Sequence, residues 1–244
     1  DVDNNDIIEI CAVKLTDYKT PEAFITFDNT ELDKVYISAY IAGELNNKLV
    51  SISGKEPLNK TYKDTSNIKY SIDKLDLLKY LFTVEYATRD SQSIMKGFVN
   101  GIAPIVSGLT NTVLGPSGSP ISNITGEYPC RYRYIENPWG NLYTLISQVK
   151  IKDYEVYYSN NNKNFNKLNY KIAKESGYIS KLGIDNEYPY CNLPIETLGT
   201  SNSYYCDYYS NSDIKTGLLA VGGQYDTDLS AGLNSLRVID NNIK

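Results

Sequence analysis

The chain has 244 residues, 41% of them hydrophobic and 22% charged, with a formal net charge of -5 and no histidine. That length suits one large domain, or one domain with an N-terminal arm, and the apolar content is enough to bury a core. The acidic balance, with Lys and Arg dispersed among acids, argues against nucleic acid as a partner, because affinity for a phosphate backbone needs clustered basic residues.

The missing histidine narrows the chemistry. A Ser-His-Asp or Cys-His nucleophile system cannot be assembled from this chain alone. The four cysteines, Cys11, Cys130, Cys191 and Cys206, form no CxxC pair, so the usual zinc and copper sites are not expected. Cys191 and Cys206 stand close enough in sequence to pair across a loop, against the alternative of unbridged, half-buried thiols. Two facing carboxylates remain an open route to glycosidase chemistry. No apolar run is long enough to span a bilayer, so membrane insertion is not expected. The chain opens at Asp1 without a signal-peptide pattern, which fits a fragment or a processed product. Tyrosine occurs 23 times against 5 Phe and 1 Trp. Asn, Lys and Ile are also abundant, so codon bias in an AT-rich genome accounts for part of that excess.

In chain order, residues 1–34 read as a strand-rich arm or connector and 35–244 as the main domain. Ile7–Leu15, Ala23–Phe27 and Val35–Ile41 carry β-branched and aromatic residues between Asp, Asn and Pro clusters, which predicts short strands. Apolar alternation over 49–53 ends in a turn signal at Gly54–Pro57. Asn59–Asn67 reads as an exposed loop. Ile72, Leu75, Leu78 and Phe82 recur at helical steps and predict a helix over Ile72–Thr88, with a second short helix over Asp90–Val99. Residues 100–128 read as a long loop or ragged strands. Strands are expected at Tyr132–Ile135 and Leu142–Ile146 around the turn Asn137–Asn141, and again at Tyr154–Tyr158. Ser159–Asn169 reads as a polar surface loop. Leu218–Val221 leads into Gly222–Gly223, and Leu236–Ile239 reads as a closing strand.

Three segments carry a family resemblance. They are Glu85–Phe98, Arg131–Tyr143 with its Asn137-Pro138-Trp139-Gly140-Asn141 turn, and Gly222-Gly223-Gln224-Tyr225 followed by Ala231-Gly232 and Arg237. In this order, from about Val35 to the C-terminus, the chain resembles the C-type-lectin-like domains of phage tail and tail-fibre proteins, which are distantly similar to formylglycine-generating enzymes. The resemblance implies an α+β fold with short, irregular antiparallel strands, one or two helices and long loops. Trp139, Gly140, Asn141, Gly222 and Gly223 then have structural roles, with Trp139 as a core anchor. The enzyme relatives need reactive cysteines in their C-terminal part, and no Cys follows Cys206 here. A non-enzymatic domain is therefore expected.

The segment Ser201–Ser212 holds four tyrosines among Ser, Asn and Asp, the composition that recognition loops use. Tyr204, Tyr205, Asp207, Tyr208, Tyr209 and Asn211, with Tyr225 and Asp226, are the candidate ligand-binding residues. Set against this is a strand with alternating buried and exposed rings, in which at most half are available for contact. Asp226, Asp228 and Asp240 raise a calcium question, because C-type lectins hold calcium through carboxylate and amide oxygens. No full ligand set is evident, so a structural calcium ion is the one cofactor left open. The resemblance implies a receptor-binding or adhesion domain of a phage tail or tail-like bacteriocin. It would sit on the particle, outside the host, with other virion or tail subunits and its own copies (a trimer) as neighbours, and bind a bacterial cell-surface protein or glycan. The alternative is a structural virion protein, a capsid decoration or tail connector. A carbohydrate-active enzyme is the third reading.

Overall fold

The computed structural model describes residues 20, 22–26, 28–58, 90–97, 101–113, 121–123, 130–160, 163–189 and 191–240. The strand expected at Ile7–Leu15 and the helix expected at Ile72–Thr88 lie outside these residues. Of the arm expected over 1–34, only the part from Thr20 onward is described.

Strand dominates, and no helix among the described residues reaches seven residues. Among the described residues the architecture is mostly β, and the helix on which the α+β expectation chiefly rested lies outside them. The strands in chain order are β1 (Gly43–Leu45), β2 (Lys48–Val50), β3 (Arg131–Tyr132), β4 (Ile135–Glu136), β5 (Thr144–Lys152), β6 (Glu155–Tyr158), β7 (Asn166–Lys171), β8 (Gly177–Tyr178), β9 (Lys181–Leu182), β10 (Pro194–Glu196), β11 (Tyr208–Ser210), β12 (Thr216–Val221) and β13 (Leu236–Ile239). The helix expected over Asp90–Val99 reduces to one turn, α1 (Ser91–Ile94). Asp90 caps it by accepting from the Ser93 N–H, and extended backbone at Met95 ends it. The Ala23–Phe27 strand is replaced by a 3-10 turn over Glu22–Phe24 and a single bridge between Ile25 and Glu31. Residues 35–41 run without a strand.

Seven strands form one curled sheet in the order β7-β6-β5-β12-β13-β11-β8. Its two edge strands, β7 and β8, are consecutive in the chain. The Tyr209 hydroxyl donates to the Ala173 carbonyl, at 2.8 Å, in the stretch between them. Every pairing is antiparallel except β11 with β13. Strand alternation sets the inner face. Ile146, Val149, Ile151, Val156, Tyr158, Leu168, Tyr209, Leu219, Leu236 and Val238 pack there as one core with Ile179, Cys191 and Leu193.

Edge strand β7 starts inside the stretch expected to be a loop. Only Leu168 of its six residues is buried, so its polar composition hid it. Lys167 and Lys171 both reach the Glu155 carboxylate, at 2.8 and 3.5 Å. These charges also guard the open edge against further strand pairing.

Three hairpins turn on two residues that both have positive φ: Asn46–Asn47, Arg133–Tyr134 and Asp153–Tyr154. This is the turn whose twist matches the flanking strands. A second, smaller core gathers Met95, Cys130, Tyr132, Trp139 and Leu233. It joins α1, the β3–β4 hairpin and the stretch before β13.

Candidate functional site

The three sequence segments that carried the resemblance meet around Trp139. The indole is buried in the second core, and a methyl group placed on Gly97 would overlap it. On the other side, Gly222 adopts φ 98° and Gly223 φ 77°, left-handed conformations that glycine takes without strain. The Gly140 N–H donates to the Gly222 carbonyl at 2.9 Å, and the Gly222 N–H donates to the Ser235 carbonyl at 2.9 Å. Asn141 is fully buried. Its side chain accepts from the Ile105 N–H and donates to the Ile105 carbonyl, while its own carbonyl accepts from the Tyr225 N–H. The parallel bridge between Asn141 and Gln224 therefore runs the Asn141–Tyr143 and Gln224–Asp226 segments side by side.

A buried carboxylate ties the same segments together from below. Asp207 is fully buried. Its oxygens accept from the Ser91 hydroxyl at 3.0 and 3.2 Å and from the Asn234 N–H at 2.7 Å. Ser91 in turn accepts from the Leu233 N–H. The Cys206 thiol donates to Asp90 and lies 3.6 Å from Asp207. Burial pushes the Asp207 carboxyl up to about 6, although the Asn234, Ser91 and Cys206 bonds pull it down and the neighbouring Asp90 charge adds to the rise. Glu136 plays a comparable part at the β3–β4 hairpin. It is buried and accepts from the N–H groups of Gly108 (2.6 Å) and Thr110 (3.0 Å) and from the Thr110 hydroxyl. Both anions organise loops. Cys130, Cys191 and Cys206 are buried thiols without a disulfide, so the pairing considered for Cys191 and Cys206 is not made. Burial raises the Cys130 thiol to about 12, which keeps it protonated and unreactive.

The convex face of the sheet carries the exposed chemistry. On β11, Tyr209 points into the core and Tyr208 points out. Tyr208 stands opposite Tyr178 of β8, and the two rings meet edge to face at 5.2 Å. Arg237 of β13 pairs with Ser210 on one side and Ala220 on the other, and Ala220 pairs with Leu145 of β5. The Arg237 guanidinium lies over the Tyr143 ring, 5.9 Å from its centre. Burial raises the Tyr143 phenol. The Arg237 charge and the Ser235 hydroxyl work against that rise, and Asp226 adds to it. Asp226 itself is exposed and accepts from the Gln224 amide at 2.7 Å.

The eight expected contact residues divide accordingly. Tyr204 is 60% exposed and stacks edge to face on the half-buried Tyr205. Tyr208, Tyr225 and Asp226 are at least partly open to solvent. Tyr209, Asp207 and Asn211 are buried, and a contact role for these three is corrected to a structural one. Asn211 closes the turn after β11, accepting from the Ile214 N–H while its backbone N–H donates to Ser176. Tyr143 and Tyr178 were missed, although Tyr143 closes the motif segment that ends the Asn137–Asn141 turn. Arg237 was named for the resemblance and not as a contact. Among the described residues no three His, Cys, Asp or Glu side chains come together as a metal site. No protein-family model matches the chain, and no curated protein matches it.

Proposed function

We propose that the chain is a non-enzymatic recognition domain with a C-type-lectin-like fold, acting in adhesion of a phage tail or tail-like bacteriocin to a bacterial surface protein or glycan. The observation that carries the reading is the junction of Asn137–Asn141 with Gly222–Asp226. Two backbone hydrogen bonds join the two loops there and three more tie them to Ser235 and Ile105, beside a face with Tyr143, Tyr208, Tyr178 and Arg237. Rigid loops presenting amphipathic rings bind at low entropic cost, and linked copies on a particle multiply a modest affinity. The buried polar groups that surround the junction serve positioning, which suits a binder more than a catalyst.

A second reading, a structural virion protein of the same fold, draws on the burial of Asp207, Tyr209 and Asn211. Half of the tyrosine segment is then scaffold. The two readings separate on cell binding. The purified chain is incubated with whole cells and with extracted surface proteins and glycans, beside a variant carrying Tyr204→Ser and Tyr208→Ser. The adhesion reading expects the variant to lose at least tenfold in cell binding with its unfolding curve within about 1 kcal/mol of the parent. Equal retention of both proteins on cells sinks the tyrosine surface, and retention of neither leaves the structural reading standing.

A further inference from the structure

We propose that Arg237, Tyr143, Gln224 and Asp226 form a subsite for an acidic sugar, a pyranose carrying one carboxylate. The proposal rests on the adhesion reading and deepens it by naming the ligand class. Arg237 is the starting point. It is partly buried, yet its guanidinium makes no ion pair or hydrogen bond among the described residues, and it lies over the Tyr143 ring. An arginine held on an aromatic face keeps its planar fork of donors oriented and loses little freedom when it meets an anion. A carboxylate fits that fork with two parallel hydrogen bonds.

The surroundings favour a sugar over a simple anion. Ser210 and Ala220 flank Arg237 on the neighbouring strands, so neither neighbouring strand sets a long side chain opposite it. The Tyr143 hydroxyl, which already meets the Ser235 hydroxyl, adds a polar group next to the guanidinium. Beside it, Asp226 has one oxygen engaged by the Gln224 side-chain amide, which leaves its second oxygen and the Gln224 side-chain carbonyl as acceptors for sugar hydroxyls. The loop that carries them is fixed in advance. The Gln224 N–H donates to the Thr227 hydroxyl, that hydroxyl donates back to the Gln224 carbonyl, and the Tyr225 N–H donates to Asn141. One cation beside one anion also argues against a polyanion: Asp226 repels a second negative charge on the ligand.

The test titrates the whole chain by calorimetry with three probes: a trisaccharide of two glucose residues and one glucuronic acid residue, its carboxyl-reduced glucose counterpart, and glucose 6-phosphate. The expected result is binding of the uronate and at least tenfold weaker binding of the reduced trimer. Arg237→Gln should lose the preference for the acid, and Arg237→Lys should keep part of it, because charge remains and the fork is gone. Fluorescence of the single Trp139 reports that each variant is folded. Should Arg237→Gln fail to fold, Arg237→Lys and Tyr143→Leu carry the comparison. Equal binding of acidic and neutral trimers, tighter binding of the phosphate, absence of binding by all three probes, or indifference to the Arg237 variants overturns the proposal. Cell binding is measured on the same proteins. If cells are held equally by wild type and Arg237→Gln, the sugar subsite falls and the adhesion reading stands. If no cell binds any of them, the adhesion reading falls as well.

Discussion

Asp207 should make the fold more stable in mild acid than at neutral pH. Its carboxyl has an ordinary value of 3.8 and is raised by burial to about 6. Between those values the folded chain holds a proton that the unfolded chain has released. Stability therefore falls as pH rises through this window, and the loss is complete above it. The gap is about two pH units, and at 1.36 kcal/mol per unit the loss is about 3 kcal/mol. Asp185 has the opposite sign. Burial works to raise it, but the N–H groups of Asn169, Tyr188 and Glu187 outweigh burial and hold it below its ordinary value. Its contribution is present at neutral pH and fades only as pH falls below the ordinary carboxylate range, outside the window. Asp207→Asn imitates the protonated acid: the amide oxygen still accepts from Asn234, and the amide nitrogen can donate to Ser91. Urea unfolding of both proteins at pH 4.5, 5.5, 6.5 and 7.5, followed by Trp139 fluorescence, gives the comparison. The difference between wild type and Asp207→Asn should change by about 2 kcal/mol across the series, in favour of the variant at high pH. A difference that stays flat with pH would refute the reasoning, since it would mean that the buried carboxyl titrates as it does in the unfolded chain.

Two further substitutions test the scaffold. Gly97→Ala places a methyl group on the Trp139 indole and should cost about 1–3 kcal/mol as overpacking, with a shift in Trp139 emission, in the same unfolding assay. Glu136→Gln removes the charge that holds the Gly108 and Thr110 N–H groups and turns an amide toward one of these donors; a loss of about 2–3 kcal/mol is expected, with faster hydrogen exchange at Gly108 and Thr110.

The parts of the fold that rested on periodicity or on glycine were legible in the sequence. Strands β6, β12 and β13 fall on the short apolar and aromatic runs at Tyr154–Tyr158, Leu218–Val221 and Leu236–Ile239, and Gly222–Gly223 occupy the positive-φ positions that such a pair predicts. Trp139 is the buried anchor that its surroundings suggested. The hairpins were harder. Arg133–Tyr134 and Asp153–Tyr154 form two-residue turns with positive φ, yet neither contains the Asn-Gly or Asp-Gly pair by which such turns are read. Tertiary pairing of the flanking strands outweighs the local cost of a bulky residue in that conformation. The β1–β2 hairpin does carry Asn46–Asn47, a signal present in the sequence and passed over. Helical periodicity over 90–99 misled because Gly97 faces Trp139 and an extended Met95 ends the turn, so packing fixes the backbone there.

The candidate site follows the same division. Composition singled out the tyrosine segment, but composition carries no information about which face a residue takes. Strand alternation supplies it: Tyr208 and Tyr209 are adjacent, and one joins the convex face while the other fills the core. The same rule identifies Arg237 as outward between Leu236 and Val238, both buried. Its neighbour Tyr143 stands just before β5, more than ninety residues earlier in the chain, and only the sheet order β5-β12-β13 places them together. A face assembled from distant segments, such as the one proposed for binding, cannot be seen as a local motif. What the sequence does hold is its support. Asn141, Gly222 and Gly223 are required by the junction itself, and they bring Tyr143 and Asp226 to the same side whatever the ligand. The face is thus set by backbone geometry first, and the proposed ligand class rests on the identities of the rings and charges on it.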